Sequence, residues 1–475
     1  MVMKKSTEIL NALPKADSKI IQSAYEQALN SFHHKVIVLD DDPTGIQTVH
    51  GVSVFTDWSE ESIEAGFLED SRMFFILTNS RSMTEKETAA VHETIASIIV
   101  KVAERVDQDF IIVSRGDSTL RGHFPLETEV LRTTIEQQSS RQFNGEILLP
   151  FFQEGGRLTI NNIHYVQDGH ELIPAGDTEF ARDRTFGFQS SHLGEWIEEK
   201  SNGSFTKENT TYISLDDLRA LRIDQIKKQL MSVTDFKKVV VNAVDYDDVK
   251  VFVTALIEAI QAGKQLMFRS AAALTKVLGG IGDRALLTRH DLIQEQSSHG
   301  GLIMIGSHVK KTTDQLKVLQ QNKEVAFIEF NTHLVLAPEA FQQEIDRVIQ
   351  QTEALLASGQ SVAVYTRRER LDLGDDRQEE ELKLSVKISD AVTSIVQRLT
   401  IRPKYLIAKG GITSSDIGTR GLHVKRATVA GQIRPGIPVW QTGEDSKFPF
   451  MSYVIFPGNV GSRDTLKEAV DILEG

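Results

Sequence analysis

The chain has 475 residues, 40% hydrophobic and 25% charged, with a formal net charge of −13 and no cysteine. Disulfides, thiolate zinc sites and a cysteine nucleophile are excluded, and the acidic balance with no offsetting basic stretch argues against a nucleic-acid binder. The length exceeds what one ordinary core serves, so two or three domains are expected, and any anionic substrate needs a locally positive site.

The first 35 residues place Ile20, Ile21, Ala24 and Leu29 at near-helical spacing and read as an amino-terminal helical extension. They contain no uninterrupted apolar stretch, and no later segment offers about twenty apolar residues in a row. A cytoplasmic protein without a membrane span is expected, with the oligomeric state left open. Next comes VIVLDDDPTGIQ, residues 36 to 47, where four apolar residues end in three carboxylates and a Pro-Thr-Gly turn. The apolar run reads as a buried strand of a parallel sheet. Its carboxyl end is the edge at which open α/β sheets bind ligands, so Asp40, Asp41 and Asp42 are candidates for chemistry, against the plainer reading of a capped, solvated turn.

Apolar runs return at MFFILTNSRS (73–82), DFIIVSRGDS (109–118), GEILLPFF (145–152), KKVVVNAV (237–244) and KQLMFRSAA (264–272), with helix-like stretches between several of them. Strands alternating with helices imply βαβ units and a mostly parallel sheet. Residues 153–211, rich in Gly, Asn and His, break the rhythm and read as irregular excursions at the sheet edge. HDLIQEQSSHGG (290–301) is the candidate linker. The pattern restarts with GLIMIGSHV (301–309), AFIEFNT (326–332), VAVYTRR (362–368) and YLIAKGGITS (405–414). The charged run 367–384 reads as a solvated loop and helix start.

Three strand ends in the first half, DDDPTG, TNSRS and SRGDSTLRGHF, gather Asp41, Asp42, Arg81, Arg115, Asp117, Ser118 and Arg121 at one edge if their strands share a parallel sheet. Guanidinium groups there suit carboxylate or phosphate oxygens, and an aspartate can accept a hydroxyl proton; the alternative is a structural ion network. In the second half, Gly306–Ser307 and Gly410–Gly411 with Thr413, Ser414 and Ser415 follow apolar strands, and FPGNVGSRDTL (456–466) adds a third glycine turn. Such turns let backbone amides approach a phosphate, although glycine and hydroxyl residues also end and cap helices. Neither GxxxxGK[ST] nor GxGxxG is present.

Two resemblances compete. IVLDDDPT fits the DxDx[TV] pattern of haloacid-dehalogenase-like phosphatases, with Asp40 as nucleophile and Asp42 as acid/base, and FFILTNS is similar to their second motif. No convincing lysine precedes the later acidic candidate AVDYDDVK, and that reading leaves SRGDSTLRGHF and the second half without a task. Over nearly the whole chain the sequence resembles instead the four-carbon acid sugar kinases that phosphorylate tetronates. Their ADDFTG-, KSRS-, K-x-D-S-T-x-x-G- and NGRT-like segments are similar to DDPTG (41–45), NSRS (79–82), RGDSTLRG (115–122) and GGRLT (155–159). GSHV, AKGGITSSDI and the GNVG turn extend the likeness to the carboxyl half. Pro43 stands where Phe is usual, Arg115 where Lys is frequent, and PGNVG where SGGFG is usual.

The resemblance implies an α/β protein of two domains, each a mostly parallel sheet flanked by helices, with the active site in an interdomain cleft. The extension would cover 1–35, a sugar-acid-binding domain 36–290 and an ATP-binding domain 300–475. Substrate contacts would fall on Asp41, Arg81, Arg115, Gly116, Asp117 and Ser118, and nucleotide contacts on Ser307, Gly410, Gly411, Ile412, Thr413 and Gly458. Asp41 and Asp42 are expected to orient hydroxyls, Arg81 and Arg115 to hold the carboxylate, and Asp117 to be the base, with Asp42 next in line. ATP and Mg2+ are the expected cofactors, with no metal ligands assigned. A phosphatase and a non-catalytic sugar-acid-binding protein remain the alternatives.

Overall fold

The apolar runs become the buried strands of two sheets in a computed structural model that describes residues 6–293, 297–369, 371 and 378–475. The chain divides into two units, Met1–Asp283 and Arg284–Gly475. Within the expected linker, residues 294–296 lie outside the described residues, as do 370 and 372–377 of the charged run.

In the first unit the strands are β1 (Lys35–Asp40), β2 (Ser53–Phe55), β3 (Met73–Leu77), β4 (Phe110–Arg115), β5 (Gly145–Leu149), β6 (Arg157–Ile160), β7 (Ile163–Asp168), β8 (Glu171–Pro174), β9 (Thr211–Ile213), β10 (Lys237–Val241) and β11 (Leu266–Ser270). A parallel sheet runs in the order β2-β3-β1-β4-β11-β5-β10-β9. Because β1 is followed on one side by β2 and β3 and on the other by β4, the crevice between β1 and β4 is the switch point where such sheets bind ligands. Two long helices of this unit start where side chains supply caps. Thr84 and Glu87 form a capping box for Glu85–Val106, and Asp245 and Asp248 form one for Tyr246–Gln261. The helix Ser18–Asn30 is tied to this unit by Tyr25, whose hydroxyl donates to the Val277 carbonyl (2.6 Å). Ile37, Phe74, Ile95, Ile99 and Leu131 belong to a core packed between strands and helices.

The region 153–211 is more regular than its composition predicts. β6, β7 and β8 form an antiparallel sheet. Its first hairpin turns on Asn161 and Asn162, both left-handed at φ 50° and 66°, as a two-residue turn with positive φ at both central positions requires. The Asn-Asn pair between two short apolar runs is the signal that the composition masks.

The second unit contains β12 (Leu302–Ile305), β13 (Val325–Phe330), β14 (Ser361–Thr366), β15 (Leu406–Lys409), β16 (Arg426–Arg434), β17 (Ile437–Thr442) and β18 (Ser452–Phe456). The order is β13-β14-β12-β15-β18-β17-β16, parallel as far as β18 and antiparallel for the last two strands. Here the switch point lies between β12 and β15. Ile303, Ile305, Ile407, Val454 and Leu466 lie in its core. No helix among the described residues is long and apolar enough to cross a membrane.

Candidate functional site

Asp40 at the end of β1 stands in register with Arg115 at the end of β4, so the residues that follow both strands share one edge. A short 3-10 turn, Ser80–Ser82, follows β3 and delivers Arg81 to it. The Arg81 guanidinium grips Asp41 with two bonds, Nη2 to Oδ1 at 2.8 Å and Nε to Oδ2 at 3.2 Å. It also lies 3.5 Å from Asp42 and 3.7 Å from Asp117. Arg115 Nη1 is 3.4 Å from Asp40 and 3.7 Å from Asp41. Arg121 Nε donates to Asp117 at 2.7 Å. Asp41, Asp42, Arg81, Arg115 and Asp117 are thus brought together, with Gly116 and Ser118 on the same segment as Asp117.

Proximity does not make these carboxylates alike. Burial pushes Asp40 up to about 8 against the pull of Arg115, and burial raises Asp41 against Arg81 and Arg269. For Asp42, burial is outweighed by Arg81 and by the hydroxyl and amide of Thr44, which hold it below the usual carboxylate range. For Asp117, burial is overcome by Arg121, Arg81 and the Thr119 hydroxyl, leaving it far below that range. Asp42 and Asp117 are therefore the ionised carboxylates that keep part of their side chains open, 19% and 12% exposed. Asp40 is 1% exposed and burial favours its protonated form, which does not suit the exposed nucleophile that the phosphatase alternative needs.

Three further features escape the sequence reading. Beneath the cluster, Arg269 donates to Glu127 (2.7 Å), to Ser114 Oγ (3.2 Å) and to the Arg121 carbonyl (3.1 Å). Gly116 is where a side chain would collide with that guanidinium. Buried His164 bridges the Ser118 carbonyl (2.8 Å) and Thr159 Oγ1 (3.0 Å), and burial pulls its pKa down to about 4, so a neutral ring fixes the backbone of the RGDS run. Arg157 opens β6, donates to the Gly155 carbonyl and lies 5.4 Å from the Phe180 ring centroid. Its Nε is buried without a partner, and no carboxylate among the described residues pairs with it. Burial lowers its pKa, with Asp117 opposing and Arg121 adding to the effect. The motif GGRLT carries Arg157, but only the tertiary arrangement shows it to be unmatched.

In the second unit the turns after β12, β15 and β18 converge. Lys409, which ends β15, accepts at its carbonyl from the amides of Gly306 and Ser307 (3.3 Å each). Its buried ammonium donates to the carbonyls of Pro457 (2.5 Å) and Gly458 (3.3 Å). Burial, helped by nearby Lys311, brings Lys409 down to about 6. Gly410 has φ 129° and ψ 142°, a conformation closed to most residues, and a methyl group there would meet Ser307 and Thr413 at 3.1 Å. A side chain at Gly306 would strike the Thr413 hydroxyl. The turn leads into a six-residue helix, Gly411–Asp416, and then a π-helical turn, Ile417–Gly421.

These turns border a cavity of about 580 Å³ whose lining includes Ser307, Gly410, Gly411, Ile412 and Thr413. Gly458, outside that lining, sits where a side chain would meet Ser307 Oγ at 2.8 Å. An apolar wall of Leu384, Ile388 and Val392 lies in the same cavity, as does Arg368, and Ile412 is 65% exposed. Among the described residues no group of three or more His, Asp or Glu side chains could hold a metal ion.

An acid and guanidinium cluster at one switch point, and a glycine-turned cavity at another, mark the two halves of a two-domain α/β protein with a mostly parallel sheet in each. The sequence carries the match further: residues 36–278 match the sugar-binding N-terminal domain and residues 302–466 the nucleotide-binding C-terminal domain of one family. The chain belongs to that family of joined sugar-binding and nucleotide-binding domains, and the match fits the four-carbon acid sugar kinases. Among solved structures it is similar to Haemophilus influenzae protein HI1011, of family DUF1537, at 16% identity and TM-score 0.59, covering 92% of this chain and 100% of that one. A Salmonella typhimurium LT2 protein provisionally named a tRNA synthase is similar at 14% identity and TM-score 0.64, over 91% and 98% of the two chains. At these identities the likeness speaks for the fold alone. No curated protein matches the sequence.

Proposed function

We propose that the protein is an ATP-dependent kinase that phosphorylates a hydroxyl of a four-carbon acid sugar of the threonate, erythronate or 3-oxo-tetronate type. The observation that carries the acid is Arg157. Arg81, Arg115 and Arg121 already face aspartates, whereas Arg157 is largely desolvated and forms no ion pair among the described residues, so an incoming carboxylate has a matching guanidinium. This moves part of the carboxylate-holding role expected of Arg81 and Arg115 to Arg157, and leaves those two to fix Asp41 and Asp40. Asp41 and Asp42 orient hydroxyls.

Chemically, the sugar oxygen forms a bond to the γ-phosphorus as the bond to ADP breaks, and the hydroxyl proton passes to Asp117 or Asp42. Transfer of this kind relies mainly on positioning and charge neutralisation. ATP with its Mg2+ would belong to the glycine-turned cavity, where Ser307, Gly410, Gly411 and Thr413 would hold the phosphates and the ion would neutralise their charge.

The test is a panel of four-carbon acids incubated with ATP and Mg2+, following ADP release and the phosphorylated product. Substrate-dependent ADP release with one or two of these acids is the expected result. Release of phosphate from sugar phosphates without ATP would favour the phosphatase, and binding of the acid without any turnover would favour a sensor.

A further inference from the structure

We infer that Arg368 is a phosphate-binding residue of the nucleotide-binding domain, the side chain that makes its cavity prefer a polyphosphate to a bare nucleoside. The inference rests on the kinase reading for the identity of the nucleotide, but the phosphate site itself stands on geometry. Arg368 follows β14, the neighbour of β12 at the switch point, and lines the same cavity as Ser307 and Gly410 to Thr413. Its Nη2 donates to the Ser307 carbonyl at 2.6 Å and to Thr313 Oγ1 at 2.9 Å. A longer bond runs from Nη1 to Thr366 Oγ1 (3.5 Å), and all three acceptors are neutral. Its Nε is buried with no partner, and among the described residues no carboxylate pairs with it.

Several other guanidinium groups of this unit are matched by carboxylates. Arg347 lies 2.7 Å from Glu344, Arg434 2.8 Å from Glu468, and Arg420 within 2.8 Å of both Asp390 and Asp416. Arg368 is half-buried, has no anion against it among the described residues, and carries five donors, so the three neutral acceptors leave it both charge and hydrogen-bonding capacity to spare. Burial alone lowers its pKa, with no opposing acid. A planar fork of donors is matched bidentately by phosphate oxygens. The turns at Gly306 and Gly410 supply close backbone approach on the same cavity, and Leu384, Ile388 and Val392 form an apolar surface suited to a base. The bond to the Ser307 carbonyl also means that Arg368 shapes the turn it shares with the ligand.

The experiment is calorimetry on the full chain with ADP, adenosine and inorganic tripolyphosphate, using the native protein, Arg368→Gln, Arg368→Lys and Thr313→Val. A charge-assisted hydrogen bond is worth about 1.5–3 kcal/mol, a factor of roughly 10 to 150 in affinity. Arg368→Gln is expected to weaken ADP and tripolyphosphate by that factor while adenosine changes less than about twofold. Arg368→Lys is expected to recover part of the loss, and Thr313→Val, which frees the guanidinium without removing its charge, to give a smaller loss for the same two ligands. Unchanged ADP and tripolyphosphate affinity in Arg368→Gln, or equal losses for adenosine and ADP, would overturn the inference. If the native protein binds tripolyphosphate through Arg368 but neither ADP nor adenosine, the phosphate site stands and the ATP reading falls.

Discussion

In the first unit the crevice between β1 and β4 is filled with side-chain charge, three guanidinium groups gripping four aspartates within 3.7 Å. In the second, the crevice between β12 and β15 is built from backbone, with glycines drawn together around Ser307 and Thr413 and with Arg368, which has no acidic partner among the described residues. The two sheets place their sites at equivalent topological positions. On the proposed reading the ligands account for the contrast: a polyhydroxylated acid would be read by directional side-chain donors and acceptors, while phosphates would be held by free amides and cations at close range. The first site must therefore be rigid through ion pairs, and the second through glycines whose replacement closes the space.

The largest expected effect belongs to the charged site. Asp117→Asn keeps the side chain's shape while removing an ionised proton acceptor, so turnover falls by roughly two to four powers of ten with ADP affinity intact. Near-normal turnover with a lowered melting temperature would reduce Asp117 to a partner of Arg121 and move the base to Asp42. The backbone-built site breaks differently. Gly410→Ala forces a side chain into φ 129°, a strain of about 1–3 kcal/mol. If the turn shifts to relieve it, ADP binding weakens by roughly ten- to a hundredfold while sugar-acid binding is kept. Equal weakening of both ligands would mean that the turn serves folding instead of phosphate.

A smaller effect sharpens the same contrast. Gly116→Ala pushes a methyl group into the Arg269 guanidinium, which Glu127, Ser114 and the Arg121 carbonyl hold in place. Overpacking of this kind costs about 1–3 kcal/mol, read as a drop of several degrees in the melting temperature. An unchanged melting temperature would show that Arg269 is free to move and that the layer beneath the aspartates is not rigid.

The strand ends, and with them the cluster of Asp41, Asp42, Arg81, Arg115 and Asp117, are legible in the sequence because each is an apolar run ending abruptly in charge, and parallel strands bring such ends to one edge. The glycine turns are legible for the same reason. Arg157 and Arg368 are not, because what singles them out is that no carboxylate among the described residues pairs with them, and pairing is settled between residues far apart in the chain. Lys409 is hidden similarly: nothing in AKGG says that its ammonium turns back onto the carbonyls of Pro457 and Gly458. The antiparallel sheet over 157–174 was obscured by its Gly, Asn and His content, although the Asn161–Asn162 turn carried the local signal.

The smallest expected effect tests whether burial acts with opposite sign on the two sites. Asp40 is raised to about 8 in the folded chain, whereas an unfolded aspartate titrates near about 4. Between those values the folded state holds a proton that the unfolded state has lost, so this contribution to stability is present at low pH and declines as the pH rises towards 8. Lys409 is lowered to about 6, against about 10.4 when unfolded. From about 6 upward the unfolded state binds the extra proton, so stability rises with pH. Trp58 and Trp196 lie in the first unit and Trp440 in the second, so variants retaining one tryptophan report each unit's melting separately. Between pH 6 and 8 the first unit's melting temperature is expected to fall and the second's to rise. Asp40→Asn is expected to flatten the first slope and Lys409→Met the second, each leaving the other unchanged. A first-unit slope untouched by Asp40→Asn would mean that Arg115 keeps Asp40 ionised, and the charged crevice would then hold one more negative charge than its burial allows here.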